Sequence, residues 1–272
     1  LFLGGSGQSL CTEKYNGTTW EASGALITAR NGVGDGGTQD AGIIFGGQPV
    51  TSATEEFNGS TWSSGGSMAI ARQNLAGTGL QDAALAFGGQ APSSSTTATE
   101  EYNGTSWSTG GALIQSRRTF RGAGLQNSAV AIGGDLAAPG VTATTCVETY
   151  NGISWSALNN LAIADANGGA AGNYTNTIAS GCNGTQTFNG GSWSISKNIS
   201  IPRTGLFMAG DSTSGLAFGG YTPTVVANTE EYTCATNTCV GAWSFGGNLI
   251  TARCGLAGAG TQNAGLAFAG KN

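Results

Sequence analysis

Five arginines and five glutamates stand at matched places along this 272-residue chain. Arg30, Arg72, Arg117, Arg203 and Arg253 each close a short apolar run. Glu13, Glu55, Glu100, Glu148 and Glu230 each follow a Thr or Val and lie two residues before a Tyr or Phe. Two carboxylates about 5 Å apart could hydrolyse a glycosidic bond with retention. The spacing suggests a different role. In one unit Asp165 replaces the arginine and Gln186 replaces the glutamate, so both members are lost together. Joint loss implies a buried ion pair in each of the other units, with Arg253 and Glu13 joining the two ends of the chain. Buried pairs of this kind fix geometry more than they add stability.

The chain has no histidine, and so lacks the commonest general base and metal ligand. Six cysteines without histidines suggest disulfides and an oxidising compartment. Cys234 and Cys239 bracket a short insertion and are expected to pair. Cys11 with Cys254, and Cys146 with Cys182, are the other expected bridges. Zinc is the rival, but paired C-x-x-C units are missing. Sequons occur at Asn16, Asn58, Asn103, Asn173, Asn183 and Asn198. Asn16, Asn58 and Asn103 fall in the Asn-Gly hairpin turn that precedes a Trp, where turn geometry alone accounts for the asparagine. Glycosylation of a secreted chain is the alternative.

Charged residues are only 9% of the chain, its net charge is −5 and its pI is about 4.6. No basic stripe exists, so no nucleic-acid partner is expected. No apolar run reaches the roughly 20 residues that a membrane helix needs, so no membrane insertion is expected. The chain starts at Leu1 with neither Met nor a signal peptide, which points to processing or to an excerpt of something longer. Glycine is abundant at 48 residues, yet 6 Trp, 6 Tyr and 10 Phe argue for a folded, turn-rich β protein rather than disorder.

The elements that would position these residues are repeats. Six segments end in Trp20, Trp62, Trp107, Trp155, Trp193 and Trp243, at intervals of 38 to 50 residues. Each unit reads as four strands. Strand a is rich in Gly and Ala, strand b is apolar and ends in a small pair such as Gly46-Gly47, strand c carries the glutamate, and strand d carries the Trp. An Asn-Gly step between c and d predicts a two-residue type I′ turn. Crowding at a ring axis predicts a hub of Gly and Ala only, while aromatic side chains fill the widening outer wedge. A lone four-stranded meander cannot bury both faces, so the units must stack.

The glycine pair, then Tyr, then Trp resembles the kelch repeat across almost the whole chain, in the simplified form seen in phage and environmental bacterial sequences. The resemblance implies one all-β domain over residues 1–272, a six-bladed β-propeller of four-stranded kelch-like blades. The N- and C-terminal strands would share one blade. It also implies a binding or assembly platform. Kelch-like propellers form the body of galactose oxidase-type enzymes, whose copper needs His and Tyr, and histidine is missing here. Sialidase-type chemistry needs clustered arginines, a Tyr nucleophile and an acid; here Arg and Glu recur unit by unit, as structural pairs would. No catalytic residue, cofactor or metal is expected.

Leu1–Gly5 is a second copy of strand b, alongside the copy near the C-terminus. A spare strand that is not merely a frayed edge could be donated to a neighbour. The chain is therefore expected to be a non-enzymatic structural or assembly subunit of an extracellular filament, appendage or virion surface. Its partners would be copies of itself or other appendage proteins. The alternative is a recognition module that binds glycan or protein through the loops after strand b, at 48–53, 90–98, 135–145 and 221–228. A glycan-active enzyme is the remaining alternative.

Overall fold

The computed structural model describes residues 7–136, 143–235 and 240–272. These form an all-β, six-bladed propeller of four-stranded antiparallel blades. In chain order, strands a to d of blade 2 are Gly34–Gly37, Gly42–Phe45, Thr54–Phe57 and Trp62–Ser64. Blade 3 runs from Ala76–Leu80 to Trp107–Thr109, blade 4 from Arg121–Leu125 to Trp155–Leu158. Blade 5 runs from Gly169–Asn173 to Trp193–Ser196, blade 6 from Phe207–Gly210 to Ala242–Phe245. Blade 1 takes its outer strands, Thr12–Tyr15 and Trp20–Ser23, from one end of the chain. Its inner strands, Ala257–Thr261 and Ala264–Phe268, come from the other end. Thr12 pairs with Phe268, and this register closes the ring. The extra copy at Leu1–Gly5 lies outside the described residues.

The periphery is built as the composition dictates. Each Trp packs on the Tyr or Phe across its own hairpin, with Tyr15–Trp20 centroids at 5.0 Å and Tyr102–Trp107 at 4.9 Å. In four blades it also meets the phenylalanine before the small residue pair that ends strand b of the preceding blade. Trp62–Phe268 at 5.1 Å and Trp155–Phe87 at 4.8 Å are examples. Such aromatic pairs each add about 0.5–1.5 kcal/mol beyond area burial.

Two local expectations are corrected. The c–d hairpin is not a two-residue type I′ turn. Tyr15 pairs with Trp20, leaving four residues between them, and only the glycine of Asn16-Gly17 has a positive φ. The Asn16 side chain instead accepts hydrogen bonds from the amides of Thr18 and Thr19. Nor is the hub lined by Gly and Ala alone. Asp35, Thr78, Arg121, Phe207 and Met208 all stand on strand a. Asp35, Thr78, Phe207 and Met208 line the axial channel toward the hairpin face, and Arg121 lines the axial cavity on the other side.

Candidate functional site

The arginine–glutamate pairs lie within blades, with the glutamate on strand c and the arginine just before strand a. Their distances are 2.6 Å for Arg30–Glu55, 2.8 Å for Arg72–Glu100, 2.7 Å for Arg117–Glu148, 2.5 Å for Arg203–Glu230 and 2.8 Å for Arg253–Glu13. All ten side chains are buried. Each glutamate also accepts from the backbone of the segment entering strand a; Glu55, for example, accepts from the amides of Ile27 and Thr28. Burial lowers the pKa of the five arginines, and the paired glutamates push it back up. Blade 5 solves the same problem without charge. Gln186 accepts from the Ile163 amide and donates to the Ile163 carbonyl. A neutral amide can do both, which is why the arginine becomes dispensable there. These carboxylates are committed to structure rather than held as an acid–base pair.

Three further ties run between blades, and sequence reading did not find them. Tyr15, Tyr102 and Tyr150 donate to Glu231, Glu56 and Glu101 of the preceding blade at 2.5–2.6 Å. Burial, then the carboxylate, pushes these phenols up to about 12, so they stay protonated donors rather than nucleophiles. The glutamine of the a–b turn crosses to the preceding blade: Gln39 donates to the carbonyls of Tyr15 and Gly265. Finally, indole N–H groups reach a strand-c threonine of the preceding blade, as from Trp62 to Thr12 and from Trp155 to Thr99. The signal for all three was present as a recurring second Glu, a recurring Gln and a recurring Thr.

Blade 5 breaks the last pattern. Its threonine partner is replaced by Val147, and Trp193 Nε1 is buried without a hydrogen bond. A buried unsatisfied donor costs about 1–3 kcal/mol. Val147→Thr is therefore expected to stabilise the fold by about 1 kcal/mol, read as a raised denaturation midpoint with an unchanged m-value. A lower midpoint would contradict the pairing.

The cysteine expectations are corrected. Cys11, Cys146, Cys182 and Cys254 are free thiols. The Cys11–Cys254 bridge is not formed: a shared height along the blade does not by itself bring two sulfurs to bonding distance, and both are free thiols, Cys254 buried and Cys11 half-buried. Nor is the Cys146–Cys182 bridge formed: Cys146 is half-buried, and Cys182 is exposed with its thiol on Asn183. Cys239, and with it the Cys234–Cys239 pairing, lies outside the described residues. The six sequon asparagines are all exposed. Asn16, Asn58 and Asn103 make the same turn contacts as Asn151 and Asn189, which are not sequons. Asn173 caps the a–b turn of blade 5, Asn183 donates to Ala164, and Asn198 accepts from Thr185.

At the axis the blades meet in a closed ring of backbone hydrogen bonds. Asn74 N–H donates to Gly32, Thr119 to Asn74, Asn167 to Thr119, Gly205 to Asn167, Gly255 to Gly205 and Gly32 to Gly255. All six residues have φ between 52° and 63°. That conformation favours glycine, tolerates asparagine and strains a β-branched residue. Thr119 is held there by its hydroxyl, which donates to Asp135 at 2.6 Å.

Above this collar opens a cavity of about 480 Å³. It lies on the face that carries the loops after strand b, because Gln48, Gln90, Asp135 and Tyr221 bridge to Asn31, Gln73, Arg118 and Thr204 beside the collar. Of the ten Lys and Arg residues, five are locked in the buried pairs. Three of the other five, Arg118, Arg121 and Lys271, line this one cavity. Asp135 is its only acidic lining residue among the described residues, and the amides of Asn31, Gln48, Asn74 and Asn167 complete its polar wall.

Two more acids sit near Arg121. Burial pushes Asp35 up to about 7 and Asp165 up to about 6, with the charge of Arg121 pulling both back. Asp35 therefore binds a proton more tightly folded than unfolded. Its contribution favours folding below about pH 4 and is lost as the pH rises to about 7. Asp35→Asn is expected to flatten this slope and raise stability at pH 8 by about 1–2 kcal/mol, measured by urea unfolding at several pH values. An unchanged slope would count against a protonatable Asp35 in the axial channel.

No family model matches the chain, and no curated protein matches it either.

Proposed function

We propose that this chain is a non-catalytic, kelch-like propeller that recognises glycans outside the cell through the face bearing the loops after strand b. The single observation that carries this is the axial cavity on that face. Its volume falls in the range of small-molecule sites, about 300–1,000 Å³, and its polar wall is made of amides, a hydroxyl and a few charges. Protein-binding hot spots favour Trp, Tyr and Arg, and the loops 48–53 and 90–98 contain none of them. Their Ser, Thr, Gln and Pro suit hydroxyl-rich ligands better. A glycan array probed with the intact chain tests this. Binding that is lost when the cavity residues are changed by Gln48→Ala and Asp135→Asn supports it; an empty array overturns it.

A second role, as an assembly subunit pairing with copies of itself or other appendage proteins, is favoured by one feature. Ile27, Ile70, Ile114 and Ile250 stand exposed where the chain runs from strand d to strand a, one in each of four blades on the same face. Light scattering across a concentration series separates the two roles. A monomer at all concentrations supports recognition alone, and multimers or fibres that dissociate on Ile114→Ser support assembly.

A further inference from the structure

We infer that the axial cavity holds a neutral sugar ring, bound through its hydroxyl groups rather than through a charge. This rests on the recognition role proposed above and names its ligand class. The cations of the cavity are already engaged. Arg118 donates to the Gln90 side chain at 3.0 Å, Arg121 donates to the Gly168 carbonyl at 2.6 Å and is faced by Asp35 and Asp165, and Lys271 has a partner of its own. The groups left unengaged are mostly neutral. The side-chain amides of Asn31, Gln48, Asn74 and Asn167 line the cavity and make no hydrogen bond among the described residues. A carboxamide both donates and accepts, and so does a hydroxyl, so the two match in either direction. Asn74 and Asn167 are the most telling. They stand on the collar at φ 52° and 63°, where three other blades place Gly32, Gly205 and Gly255. Glycine meets that backbone conformation best, so these two asparagines bring amides to the axis that the collar itself does not require.

Asp135 adds an independent observation. This side chain is 5% exposed and lines the cavity. One carboxylate oxygen accepts from the Thr119 hydroxyl, and the other, Oδ1, is buried with no hydrogen-bond partner. A buried acceptor without a donor is costly. After a small rotation of the carboxylate a ligand hydroxyl would supply one, and a bond to an ionised acceptor is stronger than a neutral one. An anion, by contrast, would find no free cation here and would face this carboxylate. Val33, Leu75 and Leu256 form the apolar part of the lining. They offer the C–H surface of a sugar ring a contact that desolvates no polar group.

Saturation-transfer NMR and calorimetry on the intact chain at pH 7 test this with glucose, galactose and mannose, each beside its uronate. At least one neutral sugar is expected to bind, and its uronate about tenfold more weakly or worse, since a buried charge needs a partner. Asn74→Gly combined with Asn167→Gly should weaken that sugar about tenfold or more. The ring should still fold, because Gly32, Gly205 and Gly255 already hold the equivalent places; circular dichroism checks this. Asp135→Asn turns the lone acceptor into a donor and should weaken the same sugar, which gives a second reading should the double variant fail to fold. A uronate that binds as tightly as its sugar, or a sugar indifferent to these variants, overturns the inference. So does an array that lights up with acidic glycans alone, a result that leaves the recognition role standing. An empty array removes both.

Discussion

Arg253→Met is expected to cost about 3–5 kcal/mol of stability, the usual penalty for leaving one member of a buried ion pair uncompensated. Glu13 would remain buried with only the amides of Ile250 and Thr251 as donors. This pair also spans the ring closure, since Glu13 is on strand c of blade 1 and Arg253 precedes its strand a. No covalent connection within the blade backs it up. Amide exchange in Thr12–Tyr15 should therefore rise sharply in the variant. Blade 5 supplies the control. Adding Glu13→Gln installs the neutral solution that Gln186 already uses, so the double variant should recover much of the loss. Urea unfolding of the four members of this cycle measures the coupling. Equal destabilisation in the double and single variants would show that the charge pair is not what closes the ring.

Gly77→Val is expected to prevent assembly of the folded ring, and Gly77→Ala to cost about 3 kcal/mol or more, beyond the common range for overpacking. A Cβ at Gly77 would fall against the backbone N of Asp35, lie 2.5 Å from the Asp35 carbonyl oxygen and 2.6 Å from the Phe45 ring. The strand-a backbones of blades 2 and 3 touch here, and backbone cannot swing aside as a side chain can. Gly255 offers the contrast. A Cβ there meets nothing within 4 Å, and only its φ of 57° restrains substitution. Gly255→Asn should cost no more than about 1 kcal/mol, because Asn74 and Asn167 already occupy equivalent collar positions. Circular dichroism and soluble yield distinguish the two sites at once. Normal folding of Gly77→Val would mean that the hub is looser than these contacts allow.

The departures from the repeat were informative in different ways. Asp165 and Gln186 stood out because two changes fell in one unit, and pairing is the simplest physical cause. Val147 stood out less, since a Thr-to-Val change looks innocuous until the Trp193 donor beside it is found without a partner. Asp35 and Arg121 went unremarked against the expected hub of Gly and Ala, because their meaning depends on the axis. Only there does an arginine become one of three cations around a single cavity.

By itself the amino-acid sequence determined the blade count, the four-strand unit, the shared terminal blade and the arginine–glutamate pairs. Each of these is a periodic or within-unit relation, and periodicity survives in one dimension. The tertiary structure alone decided which blade each Tyr, Gln and Trp reaches. A repeat reads the same whether its partner belongs to its own unit or to the next. It also decided the cysteines. Repeat position set the height of Cys11 and Cys254 along the blade, but not the separation of their sulfurs, and both are free thiols. The collar and its cavity belong to the same class, because convergence on an axis is a property of closure and has no counterpart along the chain.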